Sequence, residues 1–523
     1  MSAVAALQEA LLPSTLPVLP RARIAARYLA AGQEQAAGGD WFDAIPLADG
    51  TVALVVGDMA GHGIAASAAM GQLRSVLDEL LTAEPDLGSA LTRVEAFAAG
   101  RPALRAATVA LAVLDPADGT LRYTTCGHPP PLIISTDGTS RYLPGTRTGP
   151  LGTGSAPDLA TVTVQPGELV LLYSDGLIKR PNRTVAEGLA ELAKVATDAA
   201  AGPAPPAGAG LTAADRACQL TVELLARTGH SDDLTALAAQ RLAEPVPALQ
   251  LELPGELTSV TTARHALVAW LDQIDAGIVD RDDLQLAIAE IVTNAIEHAY
   301  LPDRPGIVEL RAALCDDGNL DCRVTDHGTW RVPDPSITGR GNGLMVAGQV
   351  VDQLQVSLPT QAGAPPGAGG TVVRLRHLLR RPAVVGPGPG AHIRAPFPGP
   401  PFTLDIGSDG ASAHVQAAGP IDASTAVQLS RRLLTASAGG TLPLTVDLTD
   451  VSYLASAGIR VLYQVRQQLS AHRQHLRLFA VPGSSVALIL DQAHLRYAAS
   501  IITAPRAVAS IGSRRNEDDS SAH

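Results

Sequence analysis

A chain of 523 residues has room for roughly two to four domains, and a content of 46% hydrophobic and 17% charged residues makes it globular and not disordered. The formal net charge of −12 removes any electrostatic case for binding nucleic acid or an anionic membrane. No apolar run approaches ~18 residues and no charged-then-apolar leader opens the chain, so a soluble, cytoplasmic protein is expected. The cysteines, Cys126, Cys218, Cys315 and Cys322, lack CxxC spacing and are expected to be reduced and buried. The only lysines are Lys179 and Lys194, and neither sits in a GxxxxGK[ST] loop or a VAIK-like strand. Any nucleotide chemistry must therefore use another framework.

Taken in chain order, residues 1–244 read as one unit. A helix Ala3–Leu12 opens it, strands are expected at 51–56, 107–114, 131–134 and 168–173, and helices at 64–82, 185–201 and 211–228. The Gly/Pro/Ala stretch 201–210 reads as a flexible insertion within that unit. Residues 250–380 form a second unit, with helices 258–274 and 282–300 and strands 306–314, 320–325 and 371–376. The Pro/Gly-rich run 381–401 reads as an extended linker. Residues 402–505 alternate short strands and helices, and 506–523 is expected to be a disordered tail.

Carboxylates mark the first unit. Asp58 in Gly57-Asp58-Met59-Ala60-Gly61 and Asp175 in Ser174-Asp175-Gly176 each end a buried strand, and Asp40 follows Gly38-Gly39. Asp232-Asp233 precedes another apolar run and supplies a fourth corner. One such residue is ordinarily a turn former or helix cap. Several at strand ends, without a cysteine or histidine cluster, describe a hard-cation site suited to Mg²⁺ or Mn²⁺. Together with Ala107–Pro116, Leu121–Pro131 and Gly149–Gly152, and with 18 residues from Asp40 to Asp58, these motifs resemble the bacterial sporulation/stress branch of metal-dependent (PPM) Ser/Thr protein phosphatases. The resemblance implies an α-β-β-α sandwich holding two Mn²⁺ or Mg²⁺ ions. It makes Asp58 their bridge and the Met59 carbonyl, Asp40, Asp175 and Asp232 further ligands, with Asp233 the less favoured member of its pair. His62 and His128 lie in Gly/Pro turns and are expected to pack there. Lys179 stands where the family often has an acid, a departure expected to alter the substrate rim but not the metal site.

In the second unit Glu290, Asn294 and His298 recur every four residues on one helix face. A polar stripe of this kind is often only a solvated face. Here it precedes Asp326-His327-Gly328, Gly339–Met345 and Gly369-Gly370-Thr371. In this order the elements resemble the two-layer α/β ATPase fold of gyrase, chaperone and histidine-kinase ATPases, most closely the anti-sigma-factor serine kinases. The resemblance implies Mg-ATP, with Asn294 on Mg²⁺ and Asp326 on the adenine amino group. Gly328, Gly341 and Gly343 belong to the glycine boxes, the last two facing phosphate, and Thr371 touches the base. Glu290 becomes the general base toward a protein hydroxyl. Asn342 and the enlarged 362–370 loop depart from the pattern.

In the third unit a buried strand 444–448 leads through a turn to Ser456, which opens a helix at 459–470. A serine there is first of all an N-cap. Preceded by Gly419-Pro420-Ile421-Asp422, the arrangement resembles the STAS domain of anti-sigma-factor antagonists, a mixed sheet with helices, whose matching serine is phosphorylated. The family's preceding aspartate is Ala455 here, which removes a charge beside the hydroxyl. The three units together imply a multidomain α/β partner-switching regulator of an alternative sigma factor. Its partners would be phosphorylated STAS antagonists, a sigma factor and its own STAS unit, and a homodimer would form through the N-terminal helix. The rival reading is a scaffold in which a catalytic unit has decayed and the STAS unit only docks partners.

Overall fold

Runs such as Val52–Val56 and Val109–Leu114 have no polar face to turn to water, so the sheet they form must be covered on both sides. The structure is a computed structural model describing residues 11–30, 38–59, 61, 63–84, 86–179, 184–202, 211–227, 232–300, 306–328, 343–358, 370–386, 402–408, 411–421, 423–454, 456–492 and 495–499. It comprises two compact units, Met1–Pro398 and Gly399–His523.

The first unit begins with β1 (Thr15–Pro17), β2 (Ala22–Leu29), β3 (Trp41–Pro46) and β4 (Val52–Asp58). Helices α1 (Ile64–Ala83) and α2 (Leu87–Ala99) follow, then β5 (Thr108–Leu114), β6 (Thr120–Cys126), β7 (Leu132–Ile134), β8 (Ser140–Tyr142), β9 (Ala160–Thr163) and β10 (Leu169–Tyr173). Helices α3 (Val185–Ala201) and α4 (Ala213–Ala226) precede β11 (Leu234–Arg241). One antiparallel sheet has the order β3-β4-β5-β6-β9, and the second contains β2-β11-β10-β7-β8. Leu54, Leu111, Leu172 and Leu237 belong to the core between them. Leu192, Cys218 and Val222 of α3 and α4 pack on the outer face of the second sheet. The α-β-β-α sandwich follows from strands that are apolar on both faces. Both helix starts after β10 carry a capping box, Thr184 with Glu187 and Thr212 with Asp215.

Beyond it come β12 (Leu249–Pro254), α5 (Thr258–Gln273), α6 (Ile278–Ala299), β13 (Ile307–Leu314), β14 (Asn319–Asp326), α7 (Gly343–Val350), β15 (Gln353–Ser357) and β16 (Thr371–Leu378). Their antiparallel sheet has the order β12-β13-β14-β16-β15. Here burial alternates residue by residue, as in β16, so one face is buried and the helices cover only that face. This is a two-layer sandwich.

The chain then turns back. Strands β17 (Arg380–Pro382) and β18 (Val384–Val385) pair with β1 and with β2, the latter in parallel. Residues expected to begin a linker are thus strands laid on the phosphatase-like sandwich, because β2 otherwise presents an open edge. Residues 387–401, the rest of that expected linker, lie outside the described residues, as do 203–210, 506–523 and most of helix Ala3–Leu12.

The second unit contains β19 (Thr403–Ser408), β20 (Ala413–Ile421), α8 (Ala423–Ala436), β21 (Leu444–Leu454), α9 (Ser456–Ala471), β22 (Leu476–Phe479), α10 (Ser485–Gln492) and β23 (Tyr497–Ala498). Its five-stranded sheet is parallel except for β19. Strand β21 runs on to Leu454, past the expected end at 448, because two register shifts against β20 absorb the irregular 416–420 stretch. Among the described residues no helix is long and apolar enough to cross a membrane.

Candidate functional site

Strand ends from both sheets of the sandwich meet at one edge. Trp41 of β3 pairs with Gly57 of β4, and Tyr173 of β10 with Ala236 of β11, which brings Asp40, Asp58, Asp175 and Asp232-Asp233 to the same end. The Met59 N–H donates to the Gly39 carbonyl at 3.1 Å and the Ser174 N–H to that of Thr235 at 3.0 Å, tying each pair of ends together. Asp40 is buried, and the Thr235 hydroxyl donates to its Oδ2 at 2.8 Å. Burial, then Asp58 and Asp233, hold its carboxyl well above the usual range. Asp58 is pushed up to about 7 by burial, then by Asp175 and Asp232, with Lys179 opposing. Asp233 is buried while Asp232 is exposed. A Cβ on Gly38 would fall 1.2 Å from Asp233 Oδ2, so only glycine lets the Asp40 loop pass over that carboxylate.

Among the described residues no three His, Cys, Asp or Glu side chains form a ready-made metal cage. The carboxylates nonetheless fit hard divalent cations: like charges raise one another's proton affinity here, and only a cation lets them all ionise together. Lys179 already supplies one positive charge, its Nζ lying 2.5 Å from Asp175 Oδ2. Its departure from the family pattern is expected to alter the substrate rim but not the metal site; the chain turn after β10 folds the lysine back onto a candidate ligand. His128 is no ligand in this arrangement. Its Nδ1 accepts from the Thr108 hydroxyl at 2.9 Å and its Nε2 donates to the Tyr173 carbonyl at 3.1 Å. Burial pulls its pKa down to about 4, so it is neutral and structural. His62 lies outside the described residues. Reading by motif passed over Ser174, Thr235 and Tyr28. The first two adjoin the acidic motifs, which is a usable signal; Tyr28 hydrogen-bonds Asp233 from a distant strand, and nothing local announces it.

In the ATPase-like part, α6 lies across β13, β14 and β16. Glu290 is buried on this helix, and Asn294 is half-buried one turn on. Asp326 ends β14 opposite Thr371, the first residue of β16. Its Oδ1 accepts from the Gly328 N–H at 3.1 Å and the Thr371 N–H at 3.2 Å, and burial raises its pKa. Gly370, at φ 78°, allows the chain to pass the Asp326 carbonyl, which a Cβ would approach to 2.0 Å. Gly343 opens α7; Gly341 lies outside the described residues.

In the STAS-like unit Ser456 is the first residue of α9, directly beyond the end of β21. A Cβ on Gly458 would stand 2.6 Å from both Ile421 and Leu454 side chains, so the first turn of α9 packs tightly on the ends of β20 and β21.

Three family models match the chain: Stage II sporulation protein E (SpoIIE) over residues 48–242, a histidine kinase-like ATPase domain over 253–377, and the Mlab, STAS domain over 404–495. Asp40 precedes the first match, so its placement rests on the geometry above. The crystal structure of the RsbU and RsbW domains of Rv1364c from Mycobacterium tuberculosis is 38% identical, with a TM-score of 0.62, over 73% of this chain and 99% of that one. An anti-sigma F factor of Heyndrickxia coagulans is 27% identical over 148 residues, 26% of this chain and 96% of that protein. Protein IcfG of Synechocystis is 28% identical over 204 residues, 33% of this chain and 31% of that protein.

Proposed function

The chain belongs to the family of multidomain regulators that carry a SpoIIE-type phosphatase, a histidine-kinase-like ATPase and a STAS domain, and we propose that these act as phosphatase, kinase and phosphoacceptor in one cytoplasmic cycle. It is a partner-switching regulator of a sigma factor. The proposed boundaries are 1–244, 250–380 and 402–505.

The observation that carries this reading is the acidic edge of the sandwich. Asp58, joined by the Met59 carbonyl, would hold two Mn²⁺ or Mg²⁺ ions together with Asp40, Asp175 and Asp232, with Asp233 the less favoured ligand of its pair. Bound there, the ions would supply a water of lowered pKa and a clamp for the phosphoryl oxygens. The protein's own contribution is orientation: Thr235 aims Asp40, and Ser174, whose hydroxyl donates to the Asp233 carbonyl at 3.3 Å, locks the β10 and β11 ends together.

In the ATPase unit Asn294 would hold Mg²⁺ of Mg-ATP. Two backbone amides occupy Asp326 Oδ1, so Oδ2 would receive the adenine amino group, with Thr371 beside the base. Gly328, Gly341 and Gly343 give the nucleotide close backbone approach. Glu290 would take the proton of the acceptor serine. The substrates are STAS antagonists, this chain's own Ser456 among them, and the dephosphorylated antagonist draws the ATPase unit away from sigma. The test is phosphate release from a phosphoserine STAS protein by the full chain with Mn²⁺. Loss of at least about 100-fold in Asp58→Asn supports the reading, and wild-type turnover in that variant overturns it.

A further inference from the structure

The acidic edge holds a cation of the protein's own. Lys179 follows Asp175 by one helical turn, its N–H donates to the Asp175 carbonyl at 2.8 Å, and its ammonium lies 2.5 Å from Asp175 Oδ2. Asp232 and Asp58 also act on this ammonium after Asp175, and it in turn eases the ionisation of Asp58. It therefore stands within the field of three of the carboxylates that would take divalent ions. The lysine side chain is 62% exposed against 22% for Asp175, so the ammonium is the more water-accessible member of the pair. A lysine suits an exchange of this kind better than an arginine, because a point charge makes no bidentate fork with the carboxylate.

We propose that Lys179 is a resident counter-ion of the phosphatase site, which holds Asp175 in the metal-free protein and must be displaced before Asp175 can ligate a divalent cation. The proposal rests on the binuclear reading of this edge given above. It makes Lys179 a positioning residue that raises the divalent concentration at which the site fills. A partly exposed ion pair restrains its carboxylate only modestly, so the affinity penalty is about 3- to 10-fold.

Calorimetric titration of Mn²⁺ into the full chain, without nucleotide, tests this, using wild type, Lys179→Gln, Lys194→Gln and Asp58→Asn. Lys194 is the other lysine, exposed on α3, and controls for net charge. Binding about 3- to 10-fold tighter in Lys179→Gln, with Lys194→Gln like wild type and the heat lost in Asp58→Asn, supports the proposal. Binding that appears only in Lys179→Gln supports it as well. Unchanged or weaker binding in Lys179→Gln, or equal tightening in Lys194→Gln, overturns it while leaving the metal site standing. Absence of binding in every protein, or heat that survives Asp58→Asn, removes the binuclear reading and the proposal with it. A second readout is thermal: Lys179→Gln should melt below wild type in chelator and at or above it in excess Mn²⁺. Identical melting in both conditions counts against the counter-ion.

Discussion

Arg381 donates from Nη2 to Asp215 Oδ1 at 2.6 Å, joining residues 166 positions apart in the chain. Asp215 already spends its other oxygen on the α4 cap, accepting the Thr212 hydroxyl at 2.6 Å. Arg381 also donates to the Ile24 carbonyl at 3.2 Å, with Asp275 of the α5–α6 turn 4.0 Å away. One guanidinium thus ties the returning strand β17, the sandwich and the ATPase-like layer together. Both partners are nearly buried, at 13% and 6% side-chain exposure, so removing one strands the other's charge.

Arg381→Ala should therefore destabilise the first unit by about 2–4 kcal/mol, seen as a lower melting temperature. Asp215→Asn should cost less, since an asparagine oxygen still serves the cap. Hydrogen exchange at β2 should rise in Arg381→Ala, because β18 covers that edge at Arg27 and Tyr28. Unchanged melting and exchange would show that the pair carries no structural weight.

His128 predicts an acid-side loss. Its folded pKa, about 4, lies below the ordinary 6.5, so the unfolded chain binds the extra proton first. The stability it contributes is complete above pH 6.5 and is lost as pH falls through 4, a swing of roughly 3 kcal/mol. Asp40 and Asp58, with raised pKa values, act in the opposite sense, losing stability as pH rises. The measurement is therefore the difference between wild type and His128→Gln across pH 4–7 in chelator. A flat difference would show that His128 titrates normally.

Asn294→Ala should abolish Mg-dependent ATP binding in calorimetry. Glu290→Ala should spare binding and slow only phosphoryl transfer, because a base acts on the acceptor and not on the nucleotide. No binding by wild type at millimolar ATP would end the kinase proposal and leave the scaffold reading.

Incubation with Mg-ATP should place phosphate on Ser456, which Ser456→Ala erases and Asp58→Asn allows to accumulate. A tethered acceptor works at an effective concentration near ~1 mM, which compensates for the missing acid at Ala455. A rate independent of protein concentration identifies the reaction as intramolecular. Phosphate mapped to another residue would return Ser456 to the role of a helix start.

The sequence by itself determined the order of the three units, the apolar strands that must be covered on both faces, and the carboxylates at the ends of β4 and β10, while the α-β-β-α sandwich was implied by the family resemblance. These are local signals: an acid next to glycine after an apolar run reads the same whatever the rest of the chain does. The alternating burial of β14 and β16 likewise follows from adjacent residues. Only the tertiary structure decided that Tyr28 supports Asp233, that Thr235 aims Asp40, that Lys179 turns back onto Asp175, and that 380–386 closes on the sandwich. Each of these joins residues through a strand register, a turn or an uncovered edge, and composition and spacing do not encode which edge stays open until the sheets have assembled.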